Sequence, residues 1–426
     1  MSDNPNIAEL LKQQINKLLE LFEDPLKHQI TYLDCTGANE TVLHSCPSNL
    51  KGRLTIPQGV NEIWDNAFLR CNNMTKIIMP NSLAKISENA FMHCSKLKSV
   101  TLSNNLKTID MSAFYNCKSL ESINIPDSVT SVYMSAFQKC ASLTDVKIGN
   151  GLKTIDPDTF KHCISLRNVA FGNNIESIRG DAFAGCRSLT RIDLPKNLKT
   201  IEYGAFSGCS SLKKITIPTS VKEIGGSAFS HCEKLENVTL SEGVTSIGDF
   251  AFNSCSSLTN IKLPDSLKTI GEDAFAFCHA LKSINIPDGV TSIGEHAFFE
   301  CRELSSISFP ESIKHIDSSW FSSNHYKKLN IEIAQGTTID SRLLELFPRA
   351  KINISQGDDG ERLSKAEMES ALEDAIIKYE PGTDPLETGV VISEETEKVI
   401  SETMETLNKF MQEEMDQLED LEDFIR

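Results

Sequence analysis

The stretch Cys232-Glu233-Lys234-Leu235-Glu236-Asn237-Val238-Thr239-Leu240, followed by Val244, Ile247-Gly248 and Ala251-Phe252 and closing on Cys255, recurs along the whole middle of this chain. Counting outward from it places cysteines at 71, 94, 117, 140, 163, 186, 209, 232, 255, 278 and 301, each 23 residues from the last. Phenylalanine keeps the same spacing from Phe68 to Phe321. A period of this length, held through much of a 426-residue chain, predicts a solenoid in which each repeat stacks only on its neighbours.

The apolar positions within a unit fall three, six, eight, twelve and fifteen residues after the cysteine, as in Leu120, Ile123, Ile125, Val129 and Val132. Ile123 and Ile125, two apart, predict a short strand with one buried face, and Pro126 ends it. Val129 and Val132 predict a second extended segment. Glycines 225, 248, 271 and 294 offer a turn after it, although Asp110, Tyr133, Asp156 and Glu202 stand at the same place in other repeats. Ala-Phe before the next cysteine reads as a short helical turn with the ring as the largest core plug. The expected fold is therefore an α/β repeat solenoid, a right-handed leucine-rich-repeat-like coil with short strands.

Composition bounds the rest. The formal net charge is −17, but residues 358–426 hold 22 Asp and Glu against 6 Lys and Arg, a net of −16, which leaves 36 basic and 37 acidic residues before them. Neither part has the basic excess of a nucleic-acid binder. Eleven of the thirteen cysteines hold one repeat position, where buried free thiols are the favoured reading and disulfides or metal the alternatives. The polar start of the chain lacks a basic, apolar leader and no run approaches 18 apolar residues, so the expectation is a protein of the cytoplasm without membrane insertion.

In order along the chain, residues 1–49 read as an amphipathic helix (Ile7, Leu11, Ile15, Leu18, Phe22) and a degenerate first coil capping the array. Residues 50–319 carry about eleven to twelve repeats. Residues 320–357 read as a C-terminal cap, with a covering helix at Leu343, Leu344, Leu346 and Phe347 and an edge strand at Ile352 and Ile354. Residues 358–426 read as an acidic helical tail: one helix carries Met368, Leu372, Ile376 and Tyr379, and a second, over 393–426, is spaced for a short coiled coil and homo-oligomer contact.

The string Cys-x-Ser-Leu-x-x-Ile-x-Ile-Pro-x-x-Val-x-x-Ile-Gly-x-x-Ala-Phe, as it stands from Cys209 to Phe229, resembles the BspA-like leucine-rich repeats, and the match runs over about residues 50–330. That family contains surface antigens and adhesins of bacteria and parasitic protists. The resemblance implies a protein-binding solenoid with no catalytic residues to carry over. It also implies an alternative to the cytoplasmic reading, a cell-surface adhesin exported by an unconventional route.

Chemistry-bearing motifs are sparse. His93, His162 and His231 each precede a ladder cysteine but stand three repeats apart, too far to share an ion, and no CxxC or HExxH occurs. No enzyme activity, metal or cofactor is expected. Binding readings rest on two outward strand columns, where charge collects at Asp145, Lys147, Arg191, Asp193, Lys214 and Lys262, set against the plainer reading of a solvated face. A further column, Lys107, Lys153, Lys199, Lys222, Lys268 and Lys314, offers a ridge on which the acidic tail could dock. The expected function is a non-enzymatic scaffold that binds a protein partner on its strand face, with the tail as a second contact.

Overall fold

The computed structural model describes residues 42–46, 50–321, 329–340, 342–347, 350–355 and 376–377. Through them the chain winds as a parallel β-solenoid with two lanes of strands. The first lane holds the longer strands, Lys51–Thr55, Asn73–Ile78, Ser99–Thr101, Ser122–Ile125, Asp145–Ile148 and Asn168–Ala170, joined in one parallel sheet. The second holds two-residue strands such as Thr108–Ile109 and Ser131–Val132. Each residue pairs with its equivalent one repeat on, Ile123 with Val146 and Ile109 with Val132, so the sequence period is also the sheet register. Ser122–Ile125 alternates exposed and buried because side chains on a strand point to opposite faces, and the inward Ile123 and Ile125 close the core.

The third side of each coil differs from the short helix expected at Ala-Phe. Around Phe114 the N–H groups of Ser112, Phe114 and Asn116 donate to Met134, Ala136 and Gln138 of the next coil at 2.8–3.0 Å. Those of Ala113, Tyr115 and Cys117 donate three residues back within their own coil at 3.0–3.2 Å. A helix would aim every N–H along one axis; here alternate peptides are flipped. The flips come from residues two before and two after each phenylalanine, which lie in the left-handed region: Ser112 (φ 53°) and Asn116 (57°), Asp158 (56°) and His162 (59°), Phe250 (59°) and Ser254 (60°). Asn, Asp, Ser, His and Gly fill most of these places because their side chains tolerate positive φ best. By contrast, Gly225, Gly248, Gly271 and Gly294 are not at positive φ; a Cβ on Gly225 would meet the backbone of Glu202 at 2.5 Å, so they serve close coil-to-coil approach.

The core is a column of rings. From Phe68 to Phe298 the phenylalanine at each 23-residue position is fully buried and stacked on the next, with centroids 4.7 Å apart at Phe68–Phe91 and 6.1 Å at Phe275–Phe298. Beside the rings runs the cysteine ladder. These cysteines are free, and from Cys94 to Cys301 each thiol donates to the carbonyl of the phenylalanine in the coil before, Cys94 Sγ to Phe68 O at 3.0 Å and Cys209 Sγ to Phe183 O at 3.3 Å. That carbonyl also accepts the N–H of its own coil's cysteine, Cys71 to Phe68 at 3.1 Å, so both lone pairs of a buried oxygen are used. Burial pushes the Cys140, Cys209 and Cys278 thiols up to about 12.

At the end of the array, the strands Asn330–Ala334 and Lys351–Ser355 continue the first lane, and a single helical turn, Arg342–Leu346, buries Leu343 beside Phe347. The helix expected through Ile376 is absent there: Ile376–Ile377 is extended and pairs with Ile339–Asp340, because an apolar strand-former next to an open sheet edge gains a ladder that an isolated helix lacks. The amphipathic helix expected over residues 7–22 and the tail helix over 393–426 lie outside the described residues.

Three outcomes are expected. Phe183→Ala, which opens the ring column, costs about 3–5 kcal/mol in chemical denaturation. Phe250→Gly, which relieves a bulky residue at positive φ, raises stability by about 1 kcal/mol on the same measurement. The Cys140, Cys209 and Cys278 thiols hold their proton longer in the folded chain than in the unfolded one, so their contribution is complete below the ordinary thiol pKa of 9.0 and is lost as pH rises from there towards about 12. Denaturation midpoints followed across that window fall with pH, and less so in Cys209→Ala.

Candidate binding surface

The first strand lane is not continuous. Its sheet ends at Asn168–Ala170, and the next coil contributes a single bridge, Arg191 to Lys214, before Lys214–Ile217 resumes the ladder with Asn237–Leu240. Across the same step the second lane stays paired, Ser177 with Thr200, and Phe160 stacks on Phe183 at 5.3 Å. The coils therefore hold together on two sides and open on the strand face. A second opening lies at Asn260 and Lys262, again reduced to single bridges.

A concavity of about 990 Å³ lies over the first opening. Its floor includes Val169, Phe171 and Leu194, which are only half-buried where their counterparts Ile123, Ile125 and Ile217 are buried. Local sequence explains part of this. Gly149 and Gly172 replace the proline of other repeats, and a Cβ on Gly172 would meet the carbonyl oxygen of Gly149 at 2.3 Å, so the chain passes unusually close to the coil before it.

Of the charged residues singled out in the sequence, Asp145, Lys147, Arg191 and Asp193 line this concavity, and all four are exposed. Lys214 pairs with Arg191 in the next coil, and Lys262 stands apart at the second opening. Sequence reasoning missed Arg167 and Lys196, which also line it. Both lie outside the two strand columns, Arg167 just before the strand and Lys196 after Pro195, and only the fold brings them to the same rim. The exposed lysines Lys107, Lys153, Lys199, Lys222, Lys268 and Lys314 stand in register immediately before the second lane. Lys199 is held by Glu176 at 2.6 Å. The tail expected to cover them lies outside the described residues.

The electrostatics of the concavity are lopsided. Asp145 is satisfied locally: the Thr144 hydroxyl donates to one carboxylate oxygen at 2.6 Å and the Asn168 amide to the other at 2.7 Å. These bonds hold its carboxyl below the usual range, Thr144 most of all. Among the described residues, ion pairs such as Arg179 with Asp156 at 3.0 Å engage none of Lys147, Arg167, Arg191 and Lys196.

The histidines considered as metal ligands have a backbone explanation. His93, His162 and His231 are at φ 62°, 59° and 56°, in the left-handed place two after phenylalanine. Gly185, at φ 70°, leaves room for the His162 ring, whose Nδ1 would lie 2.4 Å from a Cβ there. The same logic covers Glu272, Asp273 and His296, which bring one ligand atom each within 4.8 Å at the surface: Asp273 and His296 occupy the left-handed place two before phenylalanine. Among the described residues no helix is long and apolar enough to cross a membrane. Asp145 is expected to titrate below an ordinary aspartate in a carboxyl NMR titration, and Thr144→Val to move it back up.

Comparison with known proteins agrees with this geometry. A leucine-rich repeat protein from Bacteroides ovatus is 31% identical, with a TM-score of 0.56 over 72% of this chain and 84% of that one. A leucine rich cell surface protein from Faecalibacterium prausnitzii is 28% identical, with a TM-score of 0.47 over 74% of this chain and 91% of that one. No curated protein matches the chain. Residues 40–144, 131–255 and 222–349 match the family described as BspA type leucine rich repeat region, in six copies, and the chain belongs to that family.

Proposed function

We propose that this chain is a non-enzymatic interaction module that holds a protein partner on its first strand lane, centred on the concavity between Asp145 and Asn197. The observation that carries the reading is the local opening of the ladder. The second opening, at Asn260 and Lys262, carries no such lining; here half-buried apolar floor residues and four cations converge on one recess. A recess with an apolar floor and a charged rim has the anatomy of a protein contact, in which a desolvated centre supplies affinity and the rim supplies orientation. The leucine-rich-repeat family to which the chain belongs supports the same reading, since stacked repeats build extended binding faces.

The array is also well suited to carry such a face without catalysis. The cysteines from Cys71 to Cys301 are buried in the core, and from Cys94 onward their thiols are engaged with phenylalanine carbonyls, which supports a packing role for them. The left-handed histidines serve the turns. The residues free to vary are those on the outer columns, which can change without disturbing the rungs.

Ala170 is exposed on the floor of the recess, and Ala170→Trp fills it without touching the core. Full-length protein on a resin is expected to retain a partner from a lysate of its source cells that Ala170→Trp loses, while circular dichroism of the two is the same. Equal retention by both would overturn the reading.

A further inference from the structure

We propose that the recess receives an acidic segment of the partner protein, its carboxylates meeting Lys147, Arg167, Arg191 and Lys196 while an apolar side chain of the same segment rests against Phe171 and Leu194. This rests on the protein-binding reading above and specifies the chemistry of what is bound.

Four cations and two carboxylates line the recess. Asp145 is exposed and keeps its charge, with its oxygens accepting from Thr144 and Asn168, so the recess as a whole carries a net of two positive charges. Asp193 is exposed too, in the same coil as Arg191 and between it and Lys196 along the chain. Among the described residues none of the four cations is in an ion pair like those of Lys85 with Glu62 at 3.0 Å and Lys161 with Asp158 and Asp181 at 3.0 Å, although the charge of Arg167 helps to hold the Asp145 carboxyl down. The solenoid before the tail is close to neutral, with 36 basic and 37 acidic residues, so this excess of positive charge is local rather than general.

Like charges gathered in a recess repel one another and raise the free energy of the empty surface. An acidic ligand relieves that repulsion, and the half-buried floor strengthens each contact by excluding water. Two of the four cations are arginines, whose planar forks suit carboxylates. The apolar floor separates this from simple attraction to any polyanion, because Phe171 and Leu194 remain partly uncovered until an apolar side chain sits on them. Asp145 and Asp193 then act against the ligand at two places, which fixes its register: the segment carries no carboxylate opposite either.

The test uses the full-length protein and three fluorescein-labelled peptides of equal length that alternate leucine with glutamate, glutamine or lysine, read by fluorescence anisotropy. The glutamate peptide is expected to bind at least about tenfold tighter than the other two and to weaken as salt is raised from about 0.05 M to about 0.5 M. Arg167→Glu with Arg191→Glu is expected to abolish the preference, and Asp193→Asn to tighten the glutamate peptide a few-fold. A glutamine or lysine peptide that binds as well, no salt dependence in the unmodified protein, or an Asp193→Asn that weakens the glutamate peptide would each overturn the proposal. The unmodified protein's own peptide ranking and salt response decide the matter even where a variant fails to fold. If the peptides show no acidic preference while Ala170→Trp still loses the captured partner, the acidic assignment falls and the protein-binding reading stands; if Ala170→Trp loses nothing, both fall.

Discussion

Every coil depends on one buried oxygen. The phenylalanine carbonyl is accepted into the core only because two donors reach it, the amide of the cysteine three residues on and the thiol of the cysteine one coil further. An unsatisfied buried carbonyl costs on the order of 1–3 kcal/mol, so a residue that could not donate would weaken each rung. Serine could donate, but its hydroxyl brings a more strongly hydrated group into an apolar column; alanine leaves the oxygen half-used. Cysteine is small, weakly polar and still a donor, and that combination accounts for its recurrence at this place. The stacked rings set alongside lock the coils in register, and the 23-residue period follows from both.

The flipped peptides around each ring have a wider consequence. Alternate amides must point along the solenoid to the next coil, and this requires left-handed backbone at two places per repeat. The residues that tolerate such backbone, Asp, Asn, His, Ser and Gly, are also the ones that look like chemistry in a sequence. A histidine beside a cysteine, or an Asp-His pair on a surface corner, arises here from the turn itself. Chemical-looking side chains in a repeat array therefore call first for a look at φ.

The recess arises from a local failure of the same regularity. Two sides of the coil, the ring column and the short-strand lane, hold at Phe160–Phe183 and at Ser177–Thr200, while the strand lane opens between Ala170 and Arg191. A solenoid stabilised by neighbour contacts on several sides can lose one ladder step without losing its stacking. The recess thus costs the fold little and exposes a floor and rim that an unbroken sheet would have covered.

The period, the identity of the core residues, the two strand lanes and the small polar character of the outer face were legible in the sequence, because each is set by residue type at a fixed spacing and a solenoid repeats the same local decision. Four of the six charged positions on the strand columns, Asp145, Lys147, Arg191 and Asp193, line the recess, but that they share it follows from where the ladder opens. The flipped turn is signalled by Asn, Asp, Ser or Gly two before most of the core phenylalanines, but an apolar pair next to a cysteine also fits a helical turn. Ile376 was read as helical from its spacing, yet spacing carries no knowledge of the open sheet edge at Ile339 that it pairs with. Arg167, Lys196 and the half-buried floor belong to the tertiary structure alone, since which outer residues share a rim depends on where the ladder opens, and that is a balance between whole coils rather than a property of any one of them.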